Sequence, residues 1–218
     1  MMPSALRPGL SFCMIDGTVL LLDVRNDRYF RLSARTNHVF LHWASGAPLD
    51  DEDRAVLAAS GLVADSSEAP VAARVPALPL RQSRHVSTGD FYLRETAHAA
   101  WVQRRLERRL RRYGLQPVLC EVTKLRAAAC SNRPPCQAGA AAVLRAFEHA
   151  RLLRSPVEKC LPRSLAVALC LARHGMHADV VLAVKLGPFA AHCWAQCGDE
   201  VLNDTAEEVA RYTPIFAI

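Results

Sequence analysis

Apolar and polar positions alternate with a period of two from Leu10 to Leu32, then change to a helical period, and this change divides the chain. Leu10–Met14, Thr18–Asp23 and Tyr29–Leu32 read as strands separated by turns at Asp16-Gly17 and Asn26-Asp27, a three-stranded antiparallel meander. Ser33 caps a helix over 34–44, with Val39, Phe40 and Trp43 as its apolar bulk and Gly46 as its stop. A second helix follows the acidic opening Asp50 to Asp53 and ends before Gly61. No apolar period runs through 66–88, which carries Pro70, Pro76 and Pro79 and reads as an extended linker.

Beyond Gly89 the pattern is helical again. Val102, Leu106, Leu110 and Tyr113 form a buried stripe that Gly114 terminates. Pro117–Ala129 is a further apolar segment, broken by Asn132-Arg-Pro-Pro135, and the Ala-rich 137–153 reads as a buried helix. Leu161, Leu165, Leu169 and Ala172 recur at helical spacing, with Gly175 as C-cap. Ala178–Leu186 is a buried strand, Ala191–Gln196 the next, and Gly198-Asp199 turns the chain into Glu200–Asn203. The fold class is therefore α+β, with a small domain at 1–65, a linker at 66–88 and a second domain at 89–218.

With 218 residues, 51% hydrophobic and 22% charged, the chain can bury a real core. It has no membrane-length apolar run: Ser164–Ala172 is closed off by Arg163 and Arg173. Met1–Leu10 has no apolar signal core, so a cytoplasmic protein without a membrane partner is expected. In a reducing compartment the eight cysteines read as buried thiols, one reactive thiol or metal ligands. The net charge of +6 is uneven: residues 1–65 hold six basic and eight acidic side chains, leaving 21 basic and 13 acidic in the remainder. That local balance argues against a phosphate partner for the first domain.

Two patterns are weaker than they look. His38 and His42 have the i, i+4 spacing of a metal pair but lack both the zinc-protease glutamate and a third ligand, so no metal is expected there. Cys120, Cys130 and Cys136 show no Cys-x-x-Cys spacing. Six arginines between Arg104 and Arg112 read as a solvated basic face; a surface for an acidic peptide, a nucleotide phosphate or a partner protein is the competing reading. No nucleic-acid partner is expected, because no aromatic platform interleaves with them.

The chemistry concentrates between Cys160 and Asp204. Pro162 fits only the first turn of a helix, which sets Cys160 at the helix start, where the dipole and free N–H groups favour a negatively charged sulfur and can stabilise an oxyanion. Cys170, in mid-helix, reads as a core thiol. A hairpin loop of odd length centred on Gly198 sets His192 opposite Asp204, whereas a two-residue loop sets Cys193 there. Cys160, His192 and Asp204 are then the nucleophile, the base and the group that orients the base.

Two resemblances extend this reading. The segment from Tyr29-Phe-Arg-Leu through Asn37-His-Val-Phe-Leu-His-Trp43, after two hairpin strands, resembles the peptide-recognition domain of ribosomal-peptide maturation systems. The resemblance implies a winged-helix-like fold whose sheet edge, at Tyr29, Phe30, Arg31 and Leu32, takes a leader peptide as an added strand. Cys160-Leu-Pro-Arg-Ser-Leu, Ala191-His-Cys-Trp194 and Asp204 resemble the transglutaminase-like and papain-like arrangement, and more narrowly the B proteins of lasso-peptide biosynthesis. That family usually has His-Ala-Trp and then an acidic residue, where this chain reads His192-Cys-Trp-Ala-Gln-Cys197.

The family implies a cysteine peptidase that removes the leader from a lasso-peptide precursor, after which an asparagine-synthetase-like cyclase closes a macrolactam. The precursor peptide and that cyclase are the expected partners. No bound cofactor is expected; ATP dependence follows from the resemblance alone, since no phosphate-binding loop is visible. A non-catalytic precursor chaperone and a transglutaminase-type acyltransferase are the alternatives.

Overall fold

The computed structural model describes residues 5–64, 82–84, 90–130, 134–152 and 160–218. Most of the expected linker and the Asn132-Arg133 break lie outside these residues. The chain separates into two compact units, Met1–Pro76 and Ala77–Ile218.

The first unit contains β1 (Ala5–Leu6), β2 (Leu10–Ile15), β3 (Thr18–Asp23), β4 (Arg28–Arg31), α1 (Ala34–Ala44), α2 (Asp51–Ala59) and β5 (Val63–Ala64). β2, β3 and β4 form the antiparallel meander, with Ile15 opposite Thr18 and Asp23 opposite Arg28. Asp16 and Gly17 both take positive φ, 48° and 74°, the backbone of a two-residue type I′ turn. The Ser33 side chain accepts from the Thr36 amide and that of Asp50 from the Asp53 amide, so each helix has one of its orphan donors capped. Phe12, Leu21, Val39, Phe40 and Leu57 form the core, with Phe12 and Phe40 edge to face at 5.0 Å. The β1–β5 ladder was not expected; strands of two residues are too short to show an alternation.

The second unit contains β6 (Gln82–Ser83), α3 (Leu93–Tyr113), α4 (Leu115–Cys130), α5 (Gln137–Leu152), α6 (Cys160–Ala172), β7 (Asp179–Lys185), β8 (Ala190–Cys197), β9 (Glu200–Val201), α7 (Ala206–Val209) and β10 (Thr213–Ala217). The sheet order is β10-β7-β8-β9-β6, antiparallel except where β6 lies parallel to β9. Gln82 and Ser83, within the stretch expected as linker, are therefore a strand of this sheet.

The central element is α6. Leu165, Ala166, Val167, Ala168, Leu171 and Ala172 are fully buried, and the helix packs against α3, α4 and α5 as well as against β7 and β8. Its C-terminus is a Schellman motif: the Gly175 amide donates to the Ala172 carbonyl and the Met176 amide to that of Leu171, with Gly175 at φ 71°. The helix is thus fixed at its far end, and Cys160 stands at the near end.

On α3 the stripe holds at Val102 and Leu106 but not at Tyr113, which is half exposed. The expectation that no aromatic ring interleaves with the arginines is corrected as well. Arg105 lies over the exposed Trp101 ring, and Arg109 and Arg112 lie over Tyr113. Planar guanidinium groups gain from such stacking, which draws the aromatic side chains onto the basic face. No helix among the described residues is long and apolar enough to cross a membrane.

Candidate functional site

Cys160 is the first residue of α6, with Pro162 in the first turn, where its missing N–H costs no hydrogen bond. First-turn amides have no acceptor within their own helix and face beyond the helix start. His192 lies on β8 and Asp204 just past β9. The structure brings the three together: His192 Nε2 lies 2.7 Å from Asp204 Oδ2, and Cys160 is near enough to the same imidazole to help raise its pKa. With Nε2 given to the carboxylate, Nδ1 is the nitrogen left for the sulfur.

The arrangement sets the protonation of the pair. Burial alone would lower the pKa of His192, but the hydrogen bonds to Asp204 and Cys160, and the negative charges there, outweigh it and raise the imidazole from 6.5 to about 9. Asp204 moves the other way: burial would raise it, yet the bonds from His192 and the Thr205 amide, with the charges of His192 and Arg163, hold it below the usual carboxylate range. Arg163, itself paired with Glu148, had no assigned role in the sequence reading, although it lies one turn from Cys160.

The imidazole is also held by rings. Tyr212 lies against it at 4.9 Å between centroids, and Lys185 covers the Tyr212 ring at 4.6 Å. Trp194 is fully buried in the cluster of Val181, Ala183, Val201 and Val209, and its indole N–H donates to Gln196. Cys193 is buried against α6, its thiol pushed well above the usual value by burial and by the charge at Cys160; Cys197 is half-buried. Cys170 is buried and its thiol pushed up to about 11 by burial, as fits a core thiol.

The register proposed for the hairpin is corrected. Cys197 pairs with Glu200 and Gln196 with Val201, so the loop is the two-residue Gly198-Asp199 turn. Extended, that ladder would set Cys193, not His192, opposite Asp204. The ladder ends first. The Leu202 amide still donates to the Ala195 carbonyl, but the Ala195 amide donates to Asn203 Oδ1 at 2.8 Å rather than to a backbone carbonyl. This side chain releases the backbone from the sheet, and Asp204 meets His192 outside the ladder.

In the first unit, Tyr29, Phe30 and Arg31 fall in β4, at one edge of its sheet, and Leu32 just beyond it. Phe30 and Leu32 pack on that unit's core. Thr18, Arg31, Leu32, Ser33, Ala34 and Asn37 line an open depression of about 790 Å³ where β4 meets α1. His38 and His42 are exposed and lie together at 4.3 Å between ring centroids. Among the described residues, no group of three or more His, Cys, Asp or Glu side chains is arranged to hold a metal ion.

Among known proteins, the family model described as Transglutaminase-like superfamily matches residues 100–217, more than half of the chain and all of the Cys160, His192 and Asp204 cluster. No curated protein and no solved structure matches.

Proposed function

The chain belongs to the transglutaminase-like superfamily, and on that premise we propose that it is a cysteine peptidase that binds a ribosomally made lasso-peptide precursor and removes its leader. The observation that carries the chemistry is the 2.7 Å hydrogen bond between His192 and Asp204 beside Cys160 at the start of α6. His192 takes the thiol proton of Cys160, while Asp204 holds the imidazole in place and stabilises its charge. The sulfur attacks the carbonyl at the leader-core junction, and the first-turn amides of α6 face the oxyanion that forms. The C–N bond breaks as the core amine leaves with the proton from His192, and the leader stays on Cys160 as a thioester. Water, activated by His192, hydrolyses that thioester and restores the thiol.

Delivery of the peptide is assigned to the first unit. β4 lies at a sheet edge, with a depression beside it that side chains of an added strand would enter, and backbone pairing there gives affinity while the depression gives selectivity. The support for a leader peptide as the occupant is the resemblance of Tyr29 to Trp43 to peptide-recognition domains. An asparagine-synthetase-like cyclase would take the released core.

Acyl transfer to an amine is the second reading, since the same three residues form the same thioester and differ only in what attacks it. Incubating the protein with its precursor and weighing the products separates the readings. Leader loss with gain of one water supports hydrolysis. A conjugate with an added amine supports transfer, and an unchanged precursor overturns both in favour of a chaperone.

A further inference from the structure

We infer that Ser164 and Asn203 are the positioning residues of the Cys160, His192 and Asp204 cluster; the inference rests on reading that cluster as nucleophile, base and orienter. Both side chains are buried, Ser164 fully and Asn203 to 8% exposure. Asn203 Nδ2 donates to Ser164 Oγ at 2.9 Å. The same hydroxyl oxygen lies 2.9 Å from the Cys160 carbonyl and 3.1 Å from the Cys193 carbonyl, and its single proton goes to one of the two. Asn203 Oδ1 accepts from the Ala195 amide. Two small side chains therefore bridge α6, β8 and the residue before Asp204: Ser164 Oγ sits between the Cys160 and Cys193 carbonyls and accepts from Asn203, whose own amide oxygen holds Ala195.

The placement matters because the three chemical groups come from three separate elements. Nothing in the β8–β9 ladder carries Asp204 to His192; Asn203 does so by taking over the Ala195 amide and ending the ladder. Apolar packing holds α6 on β8, and Ser164, one turn in, adds a polar link within reach of the Cys193 carbonyl at 3.1 Å. A hydroxyl in an otherwise apolar buried helix costs free energy unless it is satisfied, and here every partner leads to the cluster. Neither residue touches the sulfur, the imidazole or the carboxylate in these contacts, so their effect passes through the backbones they hold.

The test is the titration of the His192 ring, followed by 15N NMR in the full-length protein, in wild type, Ser164→Ala, Asn203→Ala and Leu171→Ala. Positioning predicts that both polar variants titrate at least one unit below the wild type, with kcat/KM for the precursor down at least tenfold and leader affinity unchanged. Leu171→Ala, in the buried far half of α6, lowers thermal stability without moving the titration. If one polar variant does not fold, the other decides. A folded Ser164→Ala or Asn203→Ala in which His192 titrates as in the wild type overturns the inference. The titration needs no substrate, so a wild type that leaves its precursor intact sinks the peptidase reading separately.

Discussion

Replacing Asp204 with Asn removes one charge and little volume, and the structure sets what this should do. The carboxylate receives a 2.7 Å bond from His192, and the two side chains are only 25% and 17% exposed, so solvent screens the pair weakly. Loss of a hydrogen bond to a charged group costs about 1.5–3 kcal/mol, or about 10- to 150-fold in kcat/KM if the bond acts in the transition state. The pH profile gives an independent reading. The rise of His192 from 6.5 to about 9 is a net effect of about 3 kcal/mol, with Asp204 and Cys160 both working against burial. Activity that needs the imidazolium falls as pH rises through that value. The high-pH limb of kcat/KM therefore lies near 9 in the wild type and moves toward neutrality in Asp204→Asn, where burial meets less opposition. Precursor cleavage followed by mass from pH 5 to 10 supplies both numbers. A variant that keeps the limb near 9, or stays within about threefold of the wild type at neutral pH, refutes the assignment.

The same shifts govern stability. The raised His192 contributes stability fully present below about 6.5 and lost as pH rises through about 9, whereas the lowered Asp204 contributes stability present above about 3.8 and lost on acidification. Urea melts should therefore weaken toward both ends, and Asp204→Asn should flatten both slopes. At Gly139 in α5 an added Cβ would run into the His174 ring, so Gly139→Ala should cost about 1–3 kcal/mol in urea melts, with His174→Ala in the same chain recovering most of it. Leader peptide binding should slow hydrogen exchange at Tyr29 to Leu32; equal exchange there with and without leader contradicts strand addition.

Where local chemistry decides, the sequence was readable. Ser33 and Asp50 cap the helices they precede, Asp16-Gly17 closes the hairpin it suggests, and Pro162 places Cys160 at the start of α6. What escaped depends on contacts between distant segments. The register around Gly198 was read one residue wrong because the hairpin's length gives no sign that Asn203 ends it through the Ala195 amide. β6 gains its strand character only from β9, and Tyr113 leaves the stripe for the arginines above it. Ser164 did carry a signal, a lone hydroxyl within the buried run of α6, but its partners 29 and 39 residues away carry none. Tyr212 and Arg163 were missed for the same reason: only the assembled sheet puts Tyr212 beside His192, and only the fold puts Arg163 near Asp204.

The central claim is that Cys160 opens the leader-core bond. Its most direct test compares wild type and Cys160→Ala on the precursor, quenched in acid, with peptide and protein both weighed. The wild type should release the leader and pass through an acyl adduct of leader mass on the peptide that contains Cys160. Cys160→Ala should bind the leader as tightly and leave the precursor intact. Leader release by Cys160→Ala at the wild-type rate would contradict the account.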